Sequence, residues 1–99
     1  MLELAILGLL LQSPMHGYEL RKRLTGLLGA FRAFSYGSLY PALHRLEQQG
    51  WIRAKWQVTE TGRDAKFYSL TRAGQTHLKR ELANWDRLST AVNLVVRPT

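Results

Sequence analysis

The stretch YGSLYPALHRLEQQG (residues 36–50), followed by WIRAKWQV (51–58), TETGRD (59–64) and KFYSL (66–70), changes its period at Gly50, and that change decides the fold. Before Gly50, Leu39, Leu43 and Leu46 recur at i, i+4 and i+7, the spacing of one helix face. Pro41 belongs near the start of this helix, where backbone donors have no intrahelical partner, and Ser35 or Ser38 serves as N-cap. Gly50 is a ready C-terminal cap. Past it the residues favour strand, with Arg53 and Lys55 on one face. A turn forms around Gly62, and Lys66 to Leu70 returns. The reading is a helix followed by a β-hairpin.

Upstream, residues 2–11 (LELAILGLLL) are apolar on nearly every side, which suits a helix buried all round. A strand is the rival reading, but Ala, Leu and Glu favour helix. Ser13-Pro14 ends it, because proline disfavours the α region at the residue before it. A second helix runs from His16 or Gly17 to Leu28, with Leu20, Leu24, Leu27 and Leu28 on one face and Arg21, Lys22 and Arg23 elsewhere. Gly29 is its expected left-handed stop, and residues 31–34 read as a short connection.

Downstream, Thr71 is an N-cap for a long final helix. Leu78, Leu82, Trp85, Leu88, Val92 and Val95 step by threes and fours, and Trp85/Leu88 with Val92/Val95 form two pairs at heptad spacing. Such a helix offers more apolar face than so small a domain can cover, which points to a dimer seam rather than a helix packed only across its own domain.

The 99 residues carry 14 Lys/Arg and 7 Asp/Glu, a net +7. Ten of the bases and three of the acids fall between Arg21 and Arg72, so that segment alone accounts for the excess, and the remainder is neutral. Localised positive charge favours a polyanionic partner. The chain has no cysteine, which excludes disulfides and thiolate chemistry and suits a reducing cytoplasm. Its longest apolar run, Leu4 to Leu11, falls far short of the ~20 residues of a membrane span, and Glu3 disfavours a secretion signal. His16, His44 and His77 have no metal-ligand spacing, there is no paired carboxylate, and Gly8, Gly17 and Gly74 form no phosphate loop. Catalysis is not expected. His16 reads as a helix-start residue, and His44 and His77 as surface residues.

Three segments, MLELAILGLLLQSPMHGYEL, YGSLYPALHRLEQQGWI and GRDAKFYSLTRAGQTHL, resemble the PadR family of bacterial transcriptional regulators. The Ser-Leu-Tyr-Pro-x-Leu-x-x-Leu-x-x-x-Gly pattern at 38–50 and Tyr-Ser-Leu-Thr-x-x-Gly at 68–74 carry the likeness, which spans nearly the whole chain. With one helix past the hairpin, the chain is similar to the small subgroup of that family. The resemblance implies a mostly helical α+β fold: a winged helix-turn-helix of three helices and a two-stranded wing over residues 1–70. The C-terminal helix, 71–99, packs on the same domain and pairs two subunits. It also implies a cytoplasmic, homodimeric repressor of double-stranded DNA, with no membrane association, whose third helix reads the major groove of a pseudo-palindromic operator. Related regulators respond to aromatic molecules in apolar space near the dimer axis, so a small-molecule effector there is a further expectation.

The residues agree with that outline. The face of the third helix away from its leucines includes Tyr36, Ser38, Tyr40, Pro41, His44, Arg45 and Gln48. Arg45 has the bidentate geometry suited to guanine and Gln48 that suited to adenine, while Ser38 and Tyr40 near the N-terminus suit phosphate or bases. Tyr40 packing on the edge of the core is the alternative. On the wing, Arg63 at the turn and Lys66 just after it are the expected backbone contacts, with Arg53 or Lys55 beside them. The dimer residues are Leu82, Trp85, Leu88, Val92 and Val95; Trp85 is read as interface core before effector-pocket lining. Because winged helices also serve protein contacts, a protein-binding module remains the second class of function, and the concentrated charge weighs against it.

Overall fold

The computed structural model describes residues 2–29 and 36–97, with Tyr36 placed in its backbone only. Residues 30–35, which include the expected connection at 31–34 and the N-cap candidate Ser35, lie outside the described residues. The elements are α1 (Leu2–Gln12), β1 (Met15–His16), α2 (Gly17–Leu28), α3 (Tyr36–Gln48), β2 (Ile52–Val58), β3 (Asp64–Leu70) and α4 (Arg72–Val96).

α1 is buried on most sides: Ile6, Leu7, Leu9 and Leu10 are inaccessible, and only its end, Leu11 onward, opens to solvent. Leu20 and Leu24 of α2 and Leu39, Ala42, Leu43 and Leu46 of α3 close on it. Ile52, Tyr68 and Leu78 seal the base, where the sheet and the first turns of α4 meet the helices. No polar or charged residue is buried in this core among the described residues. Burying an aliphatic side chain is worth about 1.5–3 kcal/mol, so this one cluster supplies most of the drive to fold.

Three local readings are corrected. Gly29 is right-handed (φ −58°) and donates to the Thr25 carbonyl, so helical geometry continues through it instead of stopping in a left-handed turn. Leu27, on the stripe of Leu20 and Leu24, is exposed. α3 begins at Tyr36, which places Ser38 inside its first turn rather than at the N-cap, and Pro41 in the second turn, just past the donors that lack an intrahelical partner. Proline there removes the donor that would serve the Gly37 carbonyl, a cost a helix tolerates best close to its N-terminus.

Met15 and His16 add a short strand between the break at Ser13-Pro14 and α2, where the sequence reading had only His16, as a helix start. It pairs antiparallel with β3, Met15 opposite Tyr68 and His16 opposite Phe67, so the sheet has the order β1-β3-β2. The wing is thus a two-stranded hairpin anchored at its base by a third strand. β2 and β3 pair from Ile52 opposite Leu70 to Val58 opposite Asp64. Gly62 (φ 81°) closes the turn with its N–H on the Thr59 carbonyl. Gly50 (φ 76°) ends α3 as expected: its N–H bonds Glu47 and that of Trp51 bonds Leu46, the paired bonds of a Schellman cap.

α4 runs 25 residues, about 37 Å at 1.5 Å per residue. Only its first turns pack on the domain. The rest extends away, and the Cα radius of gyration of 15.5 Å exceeds the ~13 Å of a compact chain of this length.

Candidate nucleic-acid interface

The side of α3 opposite its buried leucines presents Gly37, Pro41, His44 and Gln48, all exposed. The two flanks of the helix differ in what they meet. On one flank the Arg45 guanidinium donates to the Glu3 carboxylate of α1. That bond holds the Glu3 carboxyl below its usual 4.5 against the opposing effect of partial burial. Ser38 lies two turns before Arg45 on the same flank. On the other flank stand Tyr40 and Glu47, facing the hairpin, and Glu47 pairs with Lys66 of β3 at 3.7 Å. Arg45 and Lys66 thus sit on opposite sides of the helix, each with a carboxylate. The Tyr36 side chain lies outside the described residues.

Tyr40 combines both expectations for it. Its ring leans on Gly17 so closely that a Cβ there would stand 2.7 Å from the phenol oxygen, yet 57% of the residue remains exposed. Gly17 opens α2, and His16 caps it: the His16 Nδ1 accepts from the Glu19 N–H at 3.1 Å. This is the helix-start role read from the sequence, and it fixes the imidazole edge-on against Phe67 at 5.1 Å.

The wing separates its cations by strand alternation. Arg53 and Lys55 project from the outer face with Phe67 and Ser69, while Lys66 and Tyr68 share the inner face with Ile52, Ala54 and Trp56. Arg53 and Lys55 are therefore turned away from α3, and Lys66 is turned toward it. Arg63, exposed at the tip, makes no ion pair among the described residues, and its N–H reaches the Thr59 hydroxyl at 3.3 Å. Burial raises the Tyr68 phenol above 10.

The sequence reading treated Trp56 only as a strand former. The structure leaves it 67% exposed on the inner face, directly across the ladder from Lys66. The signal was available: counting by twos from Ile52 puts 54, 56 and 58 on the core side, so an aromatic at 56 had to lie between the wing and α3.

The expected dimer residues share one line on α4. Leu82, Trp85, Leu88, Val92 and Val95 are all exposed large apolar groups, with 44% of Trp85 and 80% of Val95 accessible. Beside them a depression of about 420 Å³ opens between α1 and α4, lined by Leu4, Leu7, Trp85 and Leu88 with Glu3 and Glu81 at its rim. His77, expected on the surface, is instead tucked in and stacked on Trp51 at 3.5 Å. Among the described residues no group of three or more His, Asp or Glu is assembled for a metal, and no helix is long and apolar enough to cross a membrane.

Three helices around one core, with the third exposed along its front and flanked by a hairpin carrying Lys66 and Arg63, define a winged helix-turn-helix protein. Residues 6–80 match the transcriptional regulator PadR-like family, and the chain belongs to that family. Curated relatives in Bacillus subtilis and Mycobacterium tuberculosis are described as transcriptional regulators. A negative transcriptional regulator, PadR of Bacillus subtilis (strain 168), is 33% identical over 84 residues, covering 85% of this chain and 44% of that protein. The chain spans less than half the length of the curated relatives it matches. Among solved structures, a PadR-like transcriptional regulator from Bacillus cereus superposes with a TM-score of 0.86 at 31% identity, covering 99% of this chain and 93% of that one. Bacillus subtilis PadR in complex with operator DNA superposes with a TM-score of 0.71 at 32% identity, covering 82% of this chain and 45% of that one.

Proposed function

We propose that the chain acts as a cytoplasmic homodimeric repressor that binds a pseudo-palindromic operator, α3 in the major groove and the wing on the flanking backbone. Residues 1–70 form the DNA-binding unit and 71–99 the dimerisation helix. The observation that carries the reading is the placement of charge: the whole +7 excess lies between residues 21 and 72, the stretch of sequence that runs from α2 through α3 and the wing, while the rest of the chain is neutral. Duplex DNA is the polyanion whose groove admits a helix with an exposed polar front. The operator complex of Bacillus subtilis PadR lends the same support.

Within this reading Tyr36, Ser38, Tyr40 and His44 meet bases or phosphates from α3. Arg45 joins them once it leaves Glu3, and Lys66 once it leaves Glu47. Arg63 reaches the backbone from the wing tip. Leu82, Trp85, Leu88, Val92 and Val95 pair the subunits, setting the two recognition helices about one DNA turn, ~34 Å, apart. The depression between α1 and α4 is where an apolar effector near the dimer axis would sit.

Anisotropy of a labelled duplex across a salt series tests the proposal. The logarithm of affinity should fall with that of salt at about −0.9 per phosphate neutralised. Selection of bound fragments from random duplexes then yields the operator. One observation favours a second reading, a protein-contact module: Tyr18, Tyr40 and Trp56 are large aromatics exposed together. Absence of duplex binding at low salt would favour that reading and sink the first.

A further inference from the structure

The inner face of the wing outruns the core it belongs to. Ile52 is buried and Ala54 half-buried, but Trp56 and Val58, next in the same alternation, are 67% and 68% exposed. Trp56, Tyr40 and Tyr18 line one depression of about 480 Å³ floored by Gly17 and Tyr68. Three elements, β2, α3 and α2, each bring an aromatic ring to it. Cations edge the same surface. Lys66 stands opposite Trp56 in the ladder, with its ammonium 5.7 Å from the Tyr68 ring centre, and Lys22 holds its own 5.8 Å from that of Tyr18. Three carboxylates stand at this edge: Asp64 in the depression, Glu47 on Lys66, and Glu19, which pairs with Lys22 at 3.9 Å.

Bare aromatic rings interleaved with ammonium groups match one kind of partner surface closely. A nucleic-acid backbone alternates phosphates with the apolar faces of deoxyribose; cations suit the phosphates, and a flat aromatic ring offers the sugars a large apolar surface to bury. We infer that Trp56, with Tyr40 beside it, packs on the sugars of duplex DNA at the edge of the minor groove flanking the α3 site, and supplies a share of affinity that salt does not screen. The inference rests on the DNA-binding reading and adds to it a contact outside the charged set. It also gives the exposed aromatics a role in that reading. Lys66 serves the neighbouring phosphate, exchanging Glu47 for it. The two residues then differ in kind: Lys66 contributes through counterion release, Trp56 through apolar burial.

The test uses the full chain and a fluorescein-labelled mixed-sequence duplex of about 30 base pairs, titrated by anisotropy at several salt concentrations. Trp56→Ala should weaken binding about tenfold at every salt, leaving the slope of log affinity against log salt unchanged, as expected when about one apolar side chain is lost. Trp56→Phe, which keeps a ring, should recover most of the affinity. Lys66→Ala should instead flatten the slope by roughly one. Unlabelled duplex should quench wild-type tryptophan emission, and the quench should be lost in Trp56→Phe. Circular dichroism checks that each variant is folded. If the wild type binds and Trp56→Ala matches it, or the quench survives in Trp56→Phe, the contact is wrong and DNA binding stands. If the wild type binds no duplex, both fall. Should Trp56→Ala turn a dimer into a monomer in sedimentation, the depression is a contact between copies of the chain, which also overturns the inference.

Discussion

The hydroxyl of Thr71 joins three parts of the chain. It accepts from the Gly74 N–H at 3.0 Å, capping α4, and donates to the Gly50 carbonyl at 2.6 Å, where α3 hands over to β2. The Thr71 N–H also bonds the Trp51 carbonyl at 3.1 Å. Gly74 is held against this same carbonyl: a Cβ there would lie 2.0 Å from the Trp51 oxygen. The Thr-x-x-Gly spacing is thus a cap and a clearance together. Thr71→Val should cost about 1–2 kcal/mol through the lost cap. Gly74→Ala should cost more, about 3 kcal/mol, because a backbone carbonyl cannot swing aside. Urea melts should show both midpoints falling in that order, and a Gly74→Ala midpoint equal to wild type would refute the close approach. A different residue-scale effect follows from Glu3. Its carboxyl is lowered in the folded state by Arg45, so the unfolded chain binds the proton more readily. The stabilisation is present above the usual 4.5 and is lost as pH falls through the lower folded value. Glu3→Gln should therefore lower Tm near neutrality and converge on wild type in acid; a difference constant with pH would rule the pair out as its source.

Elements show why some of this was legible in the sequence and some was not. α3, the hairpin and the start of α4 were readable because each is set by neighbours in sequence: the leucine spacing, the positive φ at Gly50 and Gly62, the Thr71 cap. β1 was not, since two residues carry no period; it exists because β3 offers Met15 and His16 a ladder to join. Nor was the pairing of Arg45 with Glu3, a contact across 42 positions that chain-local reasoning has no access to. The candidate site divides the same way. Residue types and rough placement were readable on α3 and the wing tip, whereas which carboxylate each cation meets depends on how α1 and β3 flank the helix. The wing gives the prediction proper to this scale. Arg63, at the tip and without an ion pair among the described residues, has none of their carboxylates to leave before meeting a phosphate. Arg63→Ala should weaken binding to all duplex sequences alike and reduce the salt slope by roughly one. An unchanged slope would remove Arg63 from the phosphate contacts. Arg53→Ala, on the outer face of β2, should leave the slope nearly as it is.

At the scale of the whole molecule, the tension lies in α4. A single copy leaves Leu82, Trp85, Leu88, Val92 and Val95 open along a helix that projects from a 58 × 30 × 21 Å body. Contiguous apolar surface of this kind marks a partner-binding face, and in the proposed homodimer a two-fold pairing of the helix with a second copy would cover it by self-complementarity. Val92 is half accessible and lies one turn past Leu88, the last α4 residue that lines the depression against α1, so a charge there should spare the fold but would meet its own image across the proposed two-fold seam. Val92→Glu should sediment as a folded monomer where wild type is a dimer, with unchanged circular dichroism per residue apart from fraying of the distal turns. The same variant should separate the two halves of the proposed function. A monomer retains one reading head and binds a single half-site, so its salt slope should be about half that of the dimer, and its affinity for a full operator should drop far more than its affinity for a half-site. A variant that stays dimeric places the seam elsewhere. One that becomes monomeric yet keeps the full slope would mean that a single domain already covers every phosphate the dimer touches.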